Sequence, residues 1–310
     1  MPEVLFPLDS NKKFTEQQII GHNRWHPDIP PAAVVKPGTS FRVHCREWFD
    51  GAIHNDDSAD DIRDAPLTTV HALSGPFSVE GAQPGDLLIV DILDVGPIPQ
   101  EDSGPLAGQG WGYTGIFPTV NGGNQDIKNL TKGSRVFYPV FVPGGKLSVG
   151  DLHFSQGDGE ITFCGAIEMG GFIDLHVDVI KGGMDTYGVF ENAIFMPGNT
   201  DPQYSQWLAF SGTSVTLDDE QRYLDSHLAY QRACLHAIDY LTKFGYSPEQ
   251  AYLLLGAAPI EGRLSGVVDI PNSCATVYIP TAIFDFPVTP TASGPVRIDP
   301  GPGAPRSVAR

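Results

Sequence analysis

The chain of 310 residues has few basic residues and no long apolar run. Its 19 lysine and arginine residues are outnumbered by 37 aspartate and glutamate residues, which gives a net charge of −18. A polyanion repels phosphate backbones and anionic lipid surfaces, so the sequence predicts neither nucleic acid nor a membrane as a partner. Because about 18 consecutive apolar residues never occur, no membrane-spanning helix is predicted either.

Cysteines are also scarce. The four cysteines are widely spaced and form no CxxC pair, which predicts reduced and mostly buried thiols rather than disulfides. Residues 1–14 mix acidic and basic side chains with short apolar runs, and they lack the basic start and apolar core of a signal peptide. Both observations favour a cytoplasmic protein.

Several motifs of known catalytic mechanisms are missing. The sequence contains no GxSxG elbow, no Walker A loop and no GxGxxG after a predicted strand. A serine–serine–lysine arrangement is absent, and Cys164 lies inside a strand-like run, which argues against a cysteine nucleophile. This elimination leaves water, activated by a metal or by a carboxylate, as the predicted nucleophile.

Glycine and proline, in contrast, are abundant, with 35 and 27 residues. A chain that turns so often favours short strands over long helices. Strands are predicted at residues 41–45, 77–80, 87–93, 134–142, 160–168, 172–180 and 274–279. The sequence Gln83-Pro-Gly-Asp86 has proline and glycine at the positions that a type II turn prefers. The predicted fold is mainly β, a β sandwich with two C-terminal helices, and α+β is the alternative.

Two helices are predicted near the C-terminus. An apolar stripe with helical spacing runs through residues 218–244, and Asp218 opens an acidic first turn that the helix dipole favours. The second helix is predicted from Ser247 to about Ala257. Ser247 is its N-cap, Pro248 takes the first helical position, and Gln250 completes a capping box.

The densest polar cluster in the chain lies at residues 150–160. Asp151 and His153 are two residues apart, so on a strand they point to the same face. Gly157 and Gly159 allow a tight turn, which returns Gln156, Asp158 and Glu160 toward them. Glu168 follows one predicted strand later.

These residue types suit two kinds of chemistry. Carboxylate oxygens and an imidazole nitrogen are ligands for a divalent metal such as zinc, or for calcium in a site rich in oxygen. They equally suit a general base that activates water. A third interpretation is purely structural, because a Gly-Asp-Gly turn is often a plain hairpin that Asp158 stabilises.

A second candidate site is Asn121-Gly-Gly-Asn-Gln-Asp126. Its two glycines allow a ligand to approach the backbone closely, and Asn124 and Asp126 offer groups that bind an amide or a metal. A plain turn before a strand is the competing interpretation.

Six segments together resemble the acetamidase/formamidase family, and most closely its formamidase branch. One of them is Gly150-Asp-Leu-His-Phe-Ser-Gln-Gly-Asp-Gly-Glu160. The other segments are residues 22–30, 74–88, 123–135, 165–169 and 265–276. The resemblance covers the chain from about residue 20 to residue 290.

The resemblance implies a single domain over residues 1–290 that is a β sandwich with jelly-roll character. The proline- and glycine-rich tail at residues 291–310 is predicted to be loosely ordered. The implied activity is hydrolysis of formamide or short aliphatic amides to the carboxylic acid and ammonia, by a homo-oligomer. The predicted metal or water ligands are Asp151, His153, Glu160 and Asp126, the predicted catalytic residues are Glu168 and Asp158, and the predicted substrate-amide contacts are Asn124 and Gln156.

One departure from the family pattern lies after Val120. Similar formamidases have a long segment between two Asn-Gly-Gly-like turns, whereas here Val120-Asn-Gly-Gly-Asn-Gln-Asp126 runs straight through. We therefore hypothesise a shortened variant, a splice form or a mis-joined gene model with altered or lost activity. The alternatives to an active linear amidase are an impaired paralogue with a binding or assembly role, and a hydrolase of cyclic or larger amides.

Overall fold

The structure is a computed structural model that describes residues 1–9, 11–19, 21–53, 59–98, 125–198 and 203–301, with the backbone of Tyr113 and Thr114. The chain divides into two units. The first consists of Met1–Phe154 and Ile167–Asp201, and the second of Ser155–Ala166 and Pro202–Arg310.

Of the strands that the structure describes, twelve lie wholly or mainly in the first unit. They are β1 Glu3–Phe6, β2 Ala33–Val35, β3 Thr39–Cys45, β4 Leu73–Val79, β5 Leu87–Pro97, β6 Tyr113–Thr114, β7 Arg135–Pro139, β8 Leu147–Gly150, β9 Leu152–Gln156, β10 Ala166–Met169, β11 Gly171–Ile180 and β12 Ile194–Met196. A six-stranded sheet has the order β1-β3-β11-β5-β7-β12, and two smaller sheets have the orders β2-β4-β8 and β10-β9-β6. Two short helices, α1 Asp60–Arg63 and α2 Gly183–Tyr187, connect strands of this unit.

The core of the first unit lies on the two longest strands. β11 pairs antiparallel with β3 and with β5, so it occupies the interior of the large sheet. Its side chains at Ile173, Leu175 and Val177 are fully buried, as the predicted alternation requires. In β5 the side chains of Leu87, Leu88, Val90 and Ile92 are buried, whereas Leu93 is 42% exposed. The predicted strand at residues 87–93 is therefore confirmed, and its predicted place in the core is confirmed except at its end.

The turn that starts β5 also follows the sequence prediction. Gly85 has φ +98°, which is the left-handed conformation that the third position of a type II turn requires. The Asp86 amide closes the turn by donating to the Gln83 carbonyl at 3.0 Å.

The second unit has its own sheet and core. Its strands β13 Trp207–Thr213, β14 Glu261–Gly266 and β15 Cys274–Pro280 form a sheet of order β13-β15-β14. Helix α3 Ser226–Thr242 packs on this sheet and helix α4 Pro248–Ala257 packs against α3, and both helices contribute to a separate apolar cluster. The capping box of Ser247 and Gln250 is present, and α4 ends at Ala257 as predicted.

Two element boundaries differ most from the prediction. The first C-terminal helix starts at Ser226 rather than at Asp218, because Asp225 caps it by accepting from the Leu228 amide at 2.9 Å. Asp219 and Leu224 have positive φ angles, which a helix cannot contain. The predicted strand at residues 160–168 is wrong for residues 160–165. Glu160 has φ +42° in a turn, and the strand β10 begins only at Ala166.

The chain is thus mainly β, with four α-helices among the described residues. None of these helices combines the length and the apolar character that crossing a bilayer requires. Within the predicted tail, the Ile298 amide donates to the Phe244 carbonyl at 2.7 Å, and residues 302–310 lie outside the described part of the chain.

Candidate active site

Three predicted residues meet in a buried cluster of the first unit. The Nε2 atom of His153 lies 3.4 Å from Asp151 Oδ1 and 3.2 Å from Glu168 Oε2. The side chains of His153 and Asp151 are 1% and 7% exposed, and that of Glu168 is 13% exposed. Asp151 Oδ1 and Glu168 Oε2 form no hydrogen bond of acceptable geometry with the described residues. Buried polar atoms without a hydrogen-bond partner need an explanation, and a role in binding or catalysis is one.

The small sheet β10-β9-β6 places these side chains together. β9 is its middle strand and contains His153, and the neighbouring strand β10 contains Glu168. Asp151 is the single residue between β8 and β9, and its φ of +54° is uncommon for a residue other than glycine. Asp151 and His153 are therefore close together, as predicted, but they meet across a sharp bend rather than on one face of a regular strand.

Charge pairing fixes the ionisation of the two innermost groups. Burial lowers the pKa of His153, but the carboxylates of Asp151 and Glu168 outweigh burial and raise this pKa to about 11. Burial raises the pKa of Asp151, but His153 outweighs it, and the pKa of Asp151 is lowered overall. The pair is therefore an imidazolium beside a carboxylate at neutral pH.

The pKa values of Glu168 and Asp126 are raised, unlike the pKa of Asp151. Burial raises the pKa of Glu168 to about 8, because His153 compensates only in part and the Asp151 carboxylate adds repulsion. A ligand atom of Asp126 lies within 4.8 Å of the imidazole nitrogen of His153. Burial, followed by the charge of Asp151, raises the pKa of Asp126. A carboxyl with a pKa near neutral can hold or release a proton, as a general acid–base must.

Three other predicted residues belong to the second unit. The Asp158 carboxylate accepts from the Gly262 amide at 2.9 Å, and the Tyr230 hydroxyl donates to the Asp158 carbonyl. Gln156 is buried, and the adjacent Gly157 amide donates to the Gly256 carbonyl at the end of α4. Glu160 follows in the turn described above. Catalytic, substrate-binding and metal-binding roles for Asp158, Gln156 and Glu160 stay predictions.

The sequence interpretation missed one residue beside the cluster, and one predicted residue lies outside the described part of the chain. The Nε2 atom of His71 lies 3.5 Å from Asp151 Oδ2. His71 is a lone histidine before a strand, with no neighbouring motif, so no local signal identifies it. The predicted substrate contact Asn124, with the turn before it, is outside the described residues.

A comparison of the chain with models of protein families gives a match that includes this site. The model of the Acetamidase/Formamidase family matches residues 7–123 and 118–286, and the second match contains Asp151, His153 and Glu168. The chain belongs to this family. The predicted resemblance is thereby confirmed over most of the chain.

Individual members of the acetamidase/formamidase family are similar over nearly their full length. An acetamidase from Mycolicibacterium smegmatis is 46% identical, over 84% of this chain and 91% of that protein. A formamidase from Methylophilus methylotrophus is 42% identical, over 96% of this chain and 98% of that protein. The solved structure of a gamma lactamase from Delftia acidovorans superposes with a TM-score of 0.91 at 42% identity, covering 97% of this chain and 98% of that chain.

The alignments also contain many more positions than the residues of this chain that they cover. The acetamidase alignment has 371 positions but covers 84% of the 310 residues, or about 260 residues, so about 110 positions of the relative stand opposite gaps. The formamidase alignment has 400 positions and leaves a deficit of about 100. The two matches to the family model meet at residues 118–123, where the sequence predicts the junction.

Proposed function

We propose that this chain hydrolyses the C–N bond of short linear amides, of the formamide or acetamide type, to a carboxylic acid and ammonia. Its membership of the acetamidase/formamidase family supports amide hydrolysis. The observation that carries the proposal is the buried cluster of Asp151, His153 and Glu168, which offers an acid–base carboxyl beside a fixed ion pair. Water is the nucleophile.

In this proposal Glu168 is the general base. Its carboxylate takes a proton from water as the water oxygen bonds to the carbonyl carbon. Glu168 then gives this proton to the amide nitrogen, and the C–N bond breaks to release ammonia. The ion pair of Asp151 and His153 places a positive charge beside the reacting atoms, where negative charge develops on the carbonyl oxygen.

We also propose that the cluster can hold a divalent metal. In a tetrahedral zinc site the ligand atoms are about 3.3 Å apart, and His153 Nε2 lies 3.4 Å from Asp151 Oδ1. An imidazole nitrogen fits zinc better than calcium, which prefers six to eight oxygen ligands. Asp151 and His153 are the proposed ligands, with Asp126 of the same unit as a further one, and His153 would lose its proton on binding the metal. Glu160 as a ligand stays a prediction from the sequence. A bound metal would supply Lewis-acid polarisation of the carbonyl and a lowered pKa for water.

The test is ammonia release from formamide and acetamide by the purified chain, compared with the Glu168→Gln variant. We expect kcat to fall by about 10²- to 10⁴-fold, the usual contribution of a general base. Glu191→Gln, at an exposed position of the first unit, is the control and should retain full activity. A Glu168→Gln variant that folds and turns over like the wild type would refute the role of Glu168.

The metal is tested with the same assay. Elemental analysis of the purified chain and ammonia release after dialysis against a chelator are the two measurements. Metal bound at one equivalent, with activity lost on chelation and restored by zinc, is the expected result. Full activity in a chain shown to contain no metal would refute the metal proposal and leave carboxylate base catalysis.

A cyclic substrate is the second candidate, because the gamma lactamase from Delftia acidovorans shares the fold at 42% identity. Opening a γ-lactam ring creates a primary amine and releases no ammonia. Amine formation from a γ-lactam without ammonia from linear amides would favour this candidate. A folded chain that acts on neither substrate would support the impaired paralogue, in which the segment missing after Val120 was needed.

Three finer points belong to the same proposal. We propose jelly-roll character for the β fold, cytoplasmic residence and a homo-oligomer. The family resemblance supports the first and the last, and four cysteines in the thiol form support residence in a reducing compartment. Light scattering of the purified chain tests the oligomer directly, since a mass of 33.4 kDa would show a monomer.

A further inference from the structure

His71 is held next to Asp151 by the pairing of two strands. β4 and β8 are antiparallel, with Leu73 opposite Gly150. The residues before β4 therefore run alongside the residues after β8. A Cβ atom on Gly150 would lie 2.7 Å from the Ala72 carbonyl oxygen, so the two backbones approach more closely than any other residue would allow. This approach brings His71 Nε2 to 3.5 Å from Asp151 Oδ2.

The imidazole of His71 also rests on a buried aromatic stack. The centroid of its ring lies 5.5 Å from the centroid of the Trp48 ring, at an interplanar angle of 34°. The Trp48 ring in turn lies 3.8 Å from the Phe49 ring, and both residues are buried. Contact with the buried Trp48 ring restricts the orientations of the His71 imidazole, whose Nε2 faces the Asp151 carboxylate.

The Asp151 carboxylate is therefore contacted from both sides. His153 Nε2 lies at Oδ1 from the buried side, and His71 Nε2 lies at Oδ2 from the side that reaches solvent, since the His71 side chain is 41% exposed. The left-handed backbone at Asp151 takes its side chain out of the regular alternation of a strand. Neighbouring side chains, rather than the strand, must fix the rotation of this carboxylate.

We propose that His71 is a positioning residue that orients Asp151, and through Asp151 the reactive pair of His153 and Glu168. This inference rests on the proposed amide hydrolysis at the same cluster. His71 donates to Oδ2 and thereby keeps Oδ1 toward His153. Without His71 the carboxylate rotates, and His153 and Glu168 lose their alignment. Partners of this kind, one contact removed from the reacting groups, usually change activity by about 10- to 100-fold.

Two variants distinguish the effect of the Nε2 donor of His71 from the effect of its ring contact with Trp48. His71→Phe keeps a ring against Trp48 and removes the donor, whereas His71→Gln keeps an N–H near the position of Nε2. We expect His71→Phe to lower kcat by about 10- to 100-fold with KM changed by less than about threefold, and His71→Gln to recover most of kcat. His176→Phe, on β11 and hydrogen-bonded to Ser40, is the control and should leave both constants unchanged.

Kinetics that do not follow this order would overturn the proposal. Equal kcat in His71→Phe and the wild type shows that the contact with Asp151 has no positioning role. Equal losses in His71→Phe and His71→Gln, both folded, show that the aromatic contact with Trp48 and not the donor is what matters.

A second readout does not need turnover. In protein labelled with ¹⁵N at histidine, the ring signals of His153 report its contact with Asp151. We expect these signals to shift in His71→Phe and to return toward the wild-type position in His71→Gln. If the wild type hydrolyses no amide but the signals shift in this order, the proposed function fails while His71 still orients Asp151. Unchanged His153 signals in His71→Phe refute the positioning role independently of activity.

Discussion

At the scale of single residues, the contrast between Asp151 and Glu168 shows how position determines chemistry. Both are carboxyl groups near one imidazole, yet the pKa of Asp151 is lowered and that of Glu168 is raised to about 8. The carboxylate of Asp151 pairs with the His153 imidazolium, which outweighs the effect of burial on its pKa. For Glu168 the same imidazolium offsets the effect of burial only in part. Groups whose environments separate their pKa values take different roles in catalysis, here a fixed charge and a proton carrier.

Asp86 provides a pH-dependent contribution to stability. Burial raises the pKa of Asp86, but Lys181 and the amides of Gly182 and Gln83 outweigh burial and lower it. Because the folded pKa lies below the unfolded value of about 3.9, the stabilisation is present above this pH and is lost as the pH falls through the folded pKa.

We therefore expect Asp86→Asn to lower the free energy of unfolding by about 1–3 kcal/mol at pH 7, with a smaller difference from the wild type below about pH 4. Denaturant titrations at several pH values measure this difference. The control is Asp185→Asn, at an exposed position of α2, which should have little effect. A difference that is the same at pH 3 and pH 7 would contradict the interpretation.

The hydroxyl of Tyr138 is a second test at this scale. Tyr138 is 1% exposed, and its hydroxyl has no hydrogen-bond partner among the described residues. Removing a buried polar group without a partner avoids its desolvation cost, so Tyr138→Phe should leave the free energy of unfolding unchanged or raise it by about 1 kcal/mol.

The matched control for Tyr138 is Tyr240→Phe. The Tyr240 hydroxyl donates to the Val288 carbonyl at 2.7 Å, so this variant should lose about 1 kcal/mol. Urea unfolding of both variants gives the comparison. A larger loss in Tyr138→Phe than in Tyr240→Phe would reveal a partner for the Tyr138 hydroxyl.

At the scale of elements, two sites compete as the start of α3, namely Asp218 and Asp225. An acidic turn at Asp218 resembles a helix start, but the cap that forms is Asp225, whose carboxylate accepts from the Leu228 amide. Asp225→Ala should lower the free energy of unfolding by about 0.5–2 kcal/mol, as the loss of an N-cap does, whereas Asp218→Ala should change it by less than about 0.5 kcal/mol. Chemical denaturation distinguishes them. The reverse order would place the functional helix start at Asp218.

At the scale of the whole molecule, the net charge of −18 opposes folding through self-repulsion. Salt shortens the screening length from about 30 Å at 0.01 M to about 8 Å at 0.15 M. We expect the thermal midpoint to rise by a few degrees over this range at pH 7, on the order of 1 kcal/mol of screening.

The same experiment near the sequence pI of about 4.7 is the control, because the net charge is then close to zero. There the midpoint should hardly respond to salt. A midpoint that falls with added salt at pH 7 would show that attractive ion pairs outweigh the excess of negative charge.

The sequence by itself determined those features that depend on neighbours along the chain. Four features depend on residues only a few positions apart and can therefore be predicted from the sequence. They are the apolar run of β5, the alternation in β11, the type II turn before Asp86 and the capping box of α4. The family also follows from local motifs, above all residues 150–160. The junction after Val120 is equally visible, because it interrupts such a motif.

Only the tertiary structure decided which side chains meet across strands. His71 and Asp151 are 80 residues apart in the sequence and become neighbours because β4 pairs with β8 and Gly150 permits a close approach. Similarly, Glu168 reaches His153 because β10 lies beside β9. The division of the pKa values between Asp151 and Glu168 depends on burial, which no spacing of residues encodes. Local pattern therefore identifies the residues, and strand pairing with burial sets their chemistry.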